Sequence, residues 1–474
     1  MTTFFVDDSG LVTTASTAGD SIYVQSAAVP LSTLLGLAGN DTINLTEGAA
    51  TNNSSLGIKV EAADGDDSIT ISSLAAFSAG NHSIYGGDGV DTIAITGSTI
   101  GLLKTQDGAD TIIFSGGTLV EGKFGKGADE IIVHDGTVTQ LGLGKGHDKI
   151  SAGVFALGTA ASISGGEGRD TITLTLSTES GALIQGDGVN GVNANADVLT
   201  IDGLTTGTTV QGGGGGDTIQ VSGDAATSLL VAGNAGNDSI VISGYEGDTT
   251  VAGGAGVDTI LVNENIAASA FFFGGNGADS ITIELAVAGA GATQVDGGTG
   301  ADSITFSSNA AAATTISGAT LGTMQYSSFT ESDLAATDVI GVSTIVSGSN
   351  SILFNYGVDL TAGSVTENSA IAALGKSNFS GNITNGVATF SGSENVSSVT
   401  AVAGTLDTLT VGTQYSTVLF QVKGGSEYLF VQGGTAGTSD DSVVSFGGDI
   451  NASGDMALSI AATNTATVTF SGAS

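Results

Sequence analysis

The stretch GGDGVDTIAI, residues 86–95, joins an acidic, glycine-rich turn to an apolar run of strand character. Its first nine residues follow the pattern G-G-x-G-x-D-x-I-x, in which glycine permits positive φ angles and isoleucine favours a strand. The full pattern recurs, at 86–94, 165–173, 212–220, 253–261, 274–282 and 297–305. Recurrence of this kind predicts a repeat architecture.

Weaker copies keep only the inner part of the pattern, G-x-D-x-I. They lie at 36–44, 62–70, 105–113, 124–132, 143–151 and 233–241. A further copy is interrupted by inserted residues before Asp197, and a marginal one surrounds Asp20. The repeat therefore extends over most of the first 305 residues.

The spacing of the motif aspartates decides the architecture. They follow one another at intervals of 19 to 27 residues, as Asp41, Asp67, Asp91, Asp110, Asp129, Asp148, Asp170, Asp197, Asp217, Asp238, Asp258, Asp279 and Asp302. About 20 residues suffice for a solenoid coil with two short strands and two turns. We therefore predict an all-β, parallel β-helix or β-roll-like solenoid over residues 1–305, with one motif turn per coil and all motif turns on one edge.

In such a coil the isoleucine at position 8 points inward, and positions 7 and 9, often Thr or Ser, point outward. The predicted interior ladder consists of Ile43, Ile69, Ile93, Ile112, Ile131, Ile150, Ile172, Ile219, Ile240, Ile260, Ile281 and Ile304.

The turn has the chemistry of a calcium site, because its glycines expose backbone carbonyls beside a carboxylate and calcium selects such hard oxygen ligands. The candidate ligands are the thirteen aspartates above, together with Gly86, Gly165, Gly212, Gly253, Gly274 and Gly297. Stacked carboxylates without a cation would repel one another, so we expect metal binding to be coupled to folding. The alternative interpretation is that Asp-Gly turns only cap strands.

Composition narrows the function. Asp and Glu number 47 against nine Lys and Arg, which gives a net charge of −38 and disfavours nucleic acid and anionic membranes as partners. The chain has no Cys, so thiolate metal sites and thiol nucleophiles are excluded. No apolar run reaches the length of a membrane helix, and the N-terminus lacks the features of a Sec-type signal peptide.

The copies GGDGVDTIA, GGAGVDTIL and GGNGADSIT resemble the nonapeptide of the RTX, or haemolysin-type calcium-binding, family. The resemblance covers about residues 36–305 and implies that the first six residues of each copy bind calcium and the last three form a strand. Tandem nonapeptides are the usual form of that family, whereas the copies here are separated, so we expect one calcium edge. Lys126 and Lys145, at position 3, are expected to weaken the sites of Asp129 and Asp148.

Residues 306–474 lack the motif and contain only 12 of the Asp and Glu residues. Alternating apolar runs predict a C-terminal β-rich assembly domain or an irregular continuation of the solenoid, with a hairpin at residues 424–426. The segment 427–446 resembles the C-terminal segments of RTX-type exported proteins, which implies type I secretion from a Gram-negative-type bacterium.

These observations favour a secreted, calcium-dependent structural protein that assembles with itself into a cell-surface layer (S-layer), filament or sheath. A cell-surface glycan is a further expected partner. Outward threonines such as Thr92 and Thr218 leave a calcium-dependent adhesin or an ice-binding module as the alternative. A secreted enzyme is less favoured, because His82, His134 and His147 occur without a catalytic motif and are predicted to be solvated turn residues.

Overall fold

The part of the chain that the computed structural model describes is a series of segments. These are residues 3–6, 13–14, 19–24, 33–36, 38–45, 58–72, 82–187, 195–204, 207–223, 228–244, 248–263, 269–283, 293–300, 302–306, 314–317, 321–326, 338–341, 350–355, 361–362, 380–384, 387–391, 416–421, 427–431, 442–447, 456–460 and 465–470.

The chain divides into two compact units, Met1–Asp238 and Ser239–Ser474. Across the segments given above, the secondary structure consists of strands, and none of it is a helix able to cross a membrane. The predicted all-β class is confirmed.

The first unit is built from short strands that pair in parallel. Its described strands are β1 (Thr3–Val6), β2 (Thr13–Thr14), β3 (Ser21–Val24), β4 (Thr33–Leu35), β5 (Thr42–Leu45), β6 (Lys59–Asp64), β7 (Ser68–Ser72), β8 (Ser83–Asp88), β9 (Thr92–Lys104), β10 (Thr111–Lys123), β11 (Glu130–Lys145), β12 (Lys149–Glu167), β13 (Thr171–Ser180), β14 (Leu183–Asp187), β15 (Val198–Asp202), β16 (Thr208–Gly214), β17 (Thr218–Ser222) and β18 (Leu229–Ala235).

Each coil of this unit contributes one strand before the motif turn and one after it. Each strand pairs with the strand of the same kind in the next coil. Thus β6 pairs with β8, β5 pairs with β7, and β7 pairs with β9. The register places Ile69 beside Ile93 and Ile93 beside Ile112. This is the predicted parallel solenoid, in which the repeat interval sets the pairing partner.

The central coils have longer strands. Each strand from β9 to β12 runs from one motif turn to the next. Strand β9 bends at Gly97 and β10 at Gly116, whose φ angles are 60° and 75°. The chain there is regular because successive motif aspartates from Asp91 to Asp148 are 19 residues apart.

The core is the column of inward side chains. All twelve isoleucines of the predicted ladder are 0% exposed, and Leu199 takes the same place in the interrupted copy. Burial of a side chain of this size stabilises the fold by about 1.5–3 kcal/mol. The side chains of Thr92 and Thr218, at position 7, are exposed as predicted.

The second unit begins with coils of the same kind. Its described strands are β19 (Ser239–Ser243), β20 (Thr249–Ala255), β21 (Thr259–Val262), β22 (Ala270–Asn276), β23 (Ser280–Ile283), β24 (Thr293–Thr299), β25 (Asp302–Phe306), β26 (Thr314–Ser317), β27 (Leu321–Tyr326), β28 (Asp338–Gly341), β29 (Asn350–Asn355), β30 (Thr361–Ala362), β31 (Ser380–Thr384), β32 (Val387–Ser391), β33 (Ser416–Gln421), β34 (Glu427–Val431), β35 (Ser442–Gly447), β36 (Met456–Ile460) and β37 (Thr465–Phe470).

Parallel stacking in the second unit continues beyond the last motif copy. Strand β26 pairs in parallel with β28, and β27 with β29. Further along, β33 and β34 pair antiparallel, with Gln421 opposite Glu427, which confirms the hairpin predicted there. The domain boundary at residue 305 stays a prediction. Of the segment 427–446, which resembles an export signal, residues 432–441 lie outside the described residues.

Candidate metal centre

The motif turns are closely stacked, and two glycines of the full copy at 86–94 lie against the backbone of the preceding coil. Gly87 and Gly89 have φ angles of 120° and 133°, which side-chain-bearing residues rarely adopt. A Cβ atom on either would lie closer than 3.0 Å to a carbonyl oxygen of the preceding coil, that of Ala63 or Gly65. Glycine at these two positions of this copy is therefore required by the approach of neighbouring backbones.

The motif aspartates form a ladder of side-chain to backbone hydrogen bonds. The backbone N–H of Asp67 donates to Oδ1 of Asp91 at 3.0 Å, and that of Asp91 donates to Oδ1 of Asp110 at 2.9 Å. In the first unit the same bond joins each successive aspartate from Asp20 to Asp238. In the second unit it joins Asp258 to Asp279 and Asp279 to Asp302. One oxygen of each carboxylate thus holds the preceding coil.

The other oxygen, Oδ2, is buried, and in many copies it has no hydrogen-bond partner. This applies to Asp41, Asp67, Asp91, Asp129, Asp148, Asp170, Asp197, Asp217, Asp279 and Asp302. A buried carboxylate oxygen without a partner is strongly destabilising, so a cation or a proton is needed beside it.

Glycine at position 1 of the motif allows Oδ2 to approach the backbone closely. A Cβ atom on Gly165 would lie closer than 3.0 Å to Oδ2 of Asp170 and also to the carbonyl oxygen of Gly186, one coil later. The same approach to the motif Oδ2 is found at Gly86, Gly212, Gly253, Gly274 and Gly297. A carboxylate oxygen and a backbone carbonyl oxygen therefore converge where the side chain is missing.

The pKa values of these carboxyl groups are raised, mainly because the groups are buried. Burial raises the pKa of Asp91 to about 7, although the N–H of Asp67 that it accepts lowers it. For the same reason the pKa values of Asp67, Asp129, Asp170 and Asp302 are raised to about 6, those of Asp148 and Asp217 to about 7, and that of Asp197 to about 8.

The donor set fits calcium, because it combines hard carboxylate and carbonyl oxygens from adjacent coils. Within the described residues, no cluster of three or more His, Cys, Asp or Glu side chains surrounds one point. Any ion held here would therefore have at most two such side chains as ligands and complete its shell with backbone carbonyls and water. Within each unit the structure places the predicted aspartates in one row, and their role as calcium ligands stays a prediction.

The three central coils depart from the pattern at position 1. Thr105, Phe124 and Leu143 stand where other coils have glycine or alanine, and all three side chains are buried. At position 3, Lys126 contacts Asp107 at 2.7 Å, and Lys145 contacts Glu167 at 2.6 Å.

These coils thus have buried side chains at position 1, where the other coils have glycine or alanine. Their charges at position 3 are paired. Exposed ion pairs contribute little stability, about 0–1 kcal/mol each. The ion pairs of Lys126 and Lys145 are important because they reduce the like-charge repulsion between stacked turns.

Two residues differ from the sequence-based expectation. Asp187 was not predicted as a site residue, yet it is 1% exposed and belongs to the same edge. Its signal in the sequence is an aspartate at position 2 of the interrupted copy, where all six full copies have glycine. The prediction for His82 is wrong, because this residue is 2% exposed and its Nδ1 accepts a hydrogen bond from the N–H of Ile58. His134 and His147 are exposed, as predicted.

Fold and turns together define a parallel β-solenoid with a row of buried aspartates. The sequence matches no protein-family model and no curated protein. Among solved structures, the chain is similar to the X-ray crystal structure of a hyperactive, Ca2+-dependent, β-helical antifreeze protein from an Antarctic bacterium. The two are 20% identical, with a TM-score of 0.33 over 64% of this chain and 84% of that one. A likeness of this size carries no conclusion about function.

Proposed function

We propose that this chain is a calcium-dependent extracellular structural protein, whose solenoid folds around a row of calcium ions and then assembles with further copies of itself. The observation that carries the calcium part is the row of buried Oδ2 atoms without partners, such as that of Asp91, beside glycines such as Gly86. The predicted resemblance to RTX repeats agrees with it.

In this proposal the ligands are the motif aspartates and the backbone carbonyls that converge with them, for example Asp170 with Gly186. A bound calcium ion supplies the positive charge that the carboxylates lack. The chain contributes the geometry, because the bond from each aspartate N–H to the next Oδ1 fixes the carboxylate plane. Binding therefore stabilises the contact between coils, and folding becomes dependent on calcium.

Self-assembly into a surface layer or filament, the second part of the proposal, requires that the charge of the chain be neutralised. With a net charge of −38, copies of this chain repel one another at long range, and divalent cations between them would remove that repulsion. In keeping with this, we propose an extracellular, non-catalytic role after type I secretion, with attachment to a cell-surface glycan.

The test is removal and return of calcium. Protein stripped with a chelator should lose its far-UV circular dichroism β signal and any assemblies seen by electron microscopy, and regain both when calcium is added. Sodium chloride at the same ionic strength is the control for simple charge screening. A stripped protein that stays folded and assembled would rule the proposal out.

A second candidate is an ice-binding or adhesive surface, favoured by outward threonines at position 7 such as Thr92, Thr218 and Thr259. The ion pair between Lys149 and Glu130, at 2.8 Å, interrupts this row. Thermal hysteresis and surface adhesion of the calcium-loaded monomer separate this candidate from the first.

A further inference from the structure

Asp187 is a buried acid outside the repeating pattern. It occupies position 2 of the interrupted copy, where Gly87, Gly166 and Gly213 stand in other coils. Those glycines, and Ala63 with a φ of 78°, have left-handed backbones, whereas Asp187 is not among the residues with positive φ. The backbone at Asp187 therefore differs from theirs, as it also does at Gln106 and Gly125, the position 2 residues of two central coils.

The next coil is shaped to receive this carboxylate. The N–H of Gly214 donates to Oδ2 of Asp187 at 2.6 Å. A Cβ atom on Gly213 would lie 2.6 Å from both Cβ and Oδ2 of Asp187, so glycine is needed there. In other coils the corresponding glycine faces backbone, as Gly275 faces the carbonyl of Gly254. The Asp187 carboxylate is thus fixed inside the edge.

Its second oxygen is unused. Oδ1 of Asp187 is buried and has no hydrogen-bond partner, which is also true of Oδ2 of Asp197. Gly186 is the residue before Asp187. Oδ2 of Asp197 and the carbonyl oxygen of Gly212 both lie within 3.0 Å of the place where a Cβ atom on Gly186 would be. Asp187 and Asp197 thus come from one motif copy, and the carbonyl of Gly212 comes from the next coil.

Negative charge is concentrated at this point. Asp170, Asp197 and Asp217 lie close enough to Asp187 for its negative charge to act on each of them. None of the five ion pairs found in the described segments includes any of these four carboxylates. Arg169, the basic residue beside Asp170, has an exposed side chain.

We propose that Asp187 is an additional calcium ligand and that, together with Asp197, it forms the tightest calcium site of the row. This inference rests on the proposed calcium dependence and adds a specific site to it. Calcium affinity increases with the number of charged ligands. Among the described motif copies, this is the one that supplies two buried carboxylates instead of one. The site would load at the lowest calcium concentration and hold the adjoining coils first.

The test compares Asp187→Asn with Asp202→Asn. Asparagine keeps an oxygen for the N–H of Gly214 and removes only the charge. Asp202 belongs to β15, its side chain is exposed, and its Oδ1 accepts from Ser222, so the control makes the same change in net charge outside the turn. Calcium affinities are measured by titration of the whole protein against a chromophoric chelator.

Asp187→Asn should weaken the tightest class of sites by roughly tenfold or more, whereas Asp202→Asn should leave it unchanged. An unchanged tightest class in Asp187→Asn, or an equal shift in both variants, would overturn the inference. A wild-type protein that binds no calcium would instead refute the proposed function.

If Asp187→Asn does not fold, Asp187→Gly takes its place, since glycine is the residue of the neighbouring copies. Failure of both variants to fold in saturating calcium would also overturn the inference, because it would show that the role of Asp187 is structural. Far-UV circular dichroism at saturating calcium provides this check.

Discussion

The backbone N–H of Asp67 donates a hydrogen bond to Oδ1 of Asp91, 24 residues later, while Oδ2 of Asp91 is buried without a partner. One carboxylate therefore has two separate tasks. Its first oxygen satisfies the backbone of the preceding coil, and its second is available to a cation. These tasks can be separated by substitution.

Asp91→Asn keeps an acceptor for the N–H of Asp67 but removes the charge. Without calcium, at pH 8, we expect this variant to be more stable than the wild type, because an unneutralised buried charge disappears. With calcium, we expect it to be less stable, because a ligand is lost. Urea unfolding followed by circular dichroism, with and without calcium, measures both shifts.

Asp91→Ala and Asp135→Asn are the controls for this substitution. Alanine also removes the acceptor, and an unsatisfied buried N–H costs about 1–3 kcal/mol, so Asp91→Ala should be destabilised relative to Asp91→Asn in both conditions. Asp135 is exposed and accepts from Ser115, outside the motif turns. If Asp135→Asn reproduced the opposite shifts of Asp91→Asn, net charge would explain them and the Oδ2 site would not.

Gly165→Ala tests the space at position 1. The added methyl group would lie too close to Oδ2 of Asp170 and to the carbonyl oxygen of Gly186, and overpacking of this kind costs about 1–3 kcal/mol. Gly142→Ala is the matched control, because no atom lies within 4 Å of its Cβ position. We expect a lower urea midpoint in calcium for the first variant and no loss for the second. Equal midpoints would contradict the packing described for the turn.

Much of this arrangement could be predicted from the sequence, because the regular interval between copies determines which residues stack. Ile93 and Asp91 recur in phase with their neighbours, so the interior ladder and the common edge follow from counting. The different roles of Oδ1, which accepts a backbone hydrogen bond, and Oδ2, which has no partner, could not be predicted. They depend on how closely the backbones of adjacent coils approach each other.

Asp187 and His82 show where the pattern no longer helps. Asp187 breaks the glycine template, and its partner Gly214 is 27 residues away. His82 lies outside the motif, and its hydrogen-bond donor Ile58 is 24 residues earlier. In both cases burial arises from contacts between coils that no local motif encodes.

The raised pKa values predict how the metal-free protein responds to pH. An aspartate with a folded-state pKa above its ordinary 3.8, such as Asp91 at about 7, binds its proton more tightly when folded. Stability without calcium should therefore be highest below about pH 4 and fall as the pH rises to about 8, the value for Asp197. Thermal unfolding of metal-stripped protein across this range measures the effect.

Salt provides the control for the pH experiment, because exposed carboxylates also ionise in this range. In about 0.5 M sodium chloride their mutual repulsion is largely screened, whereas buried groups are screened much less. The pH dependence should persist there. Metal-free stability that rises with pH would contradict the assignment of the buried carboxylates.

Removal of calcium should not affect all coils of the first unit equally. Phe124 and Leu143 fill position 1 with buried apolar side chains, and Lys126 and Lys145 balance the charge at position 3. The coils from about residue 105 to 167 therefore depend less on a cation than those around Asp197 and Asp217, which have glycine at position 1. Hydrogen exchange with mass spectrometry, started after chelation, should show slower exchange in the central coils. Simultaneous loss of protection in both regions would show instead that the unit responds to calcium as a single cooperative whole.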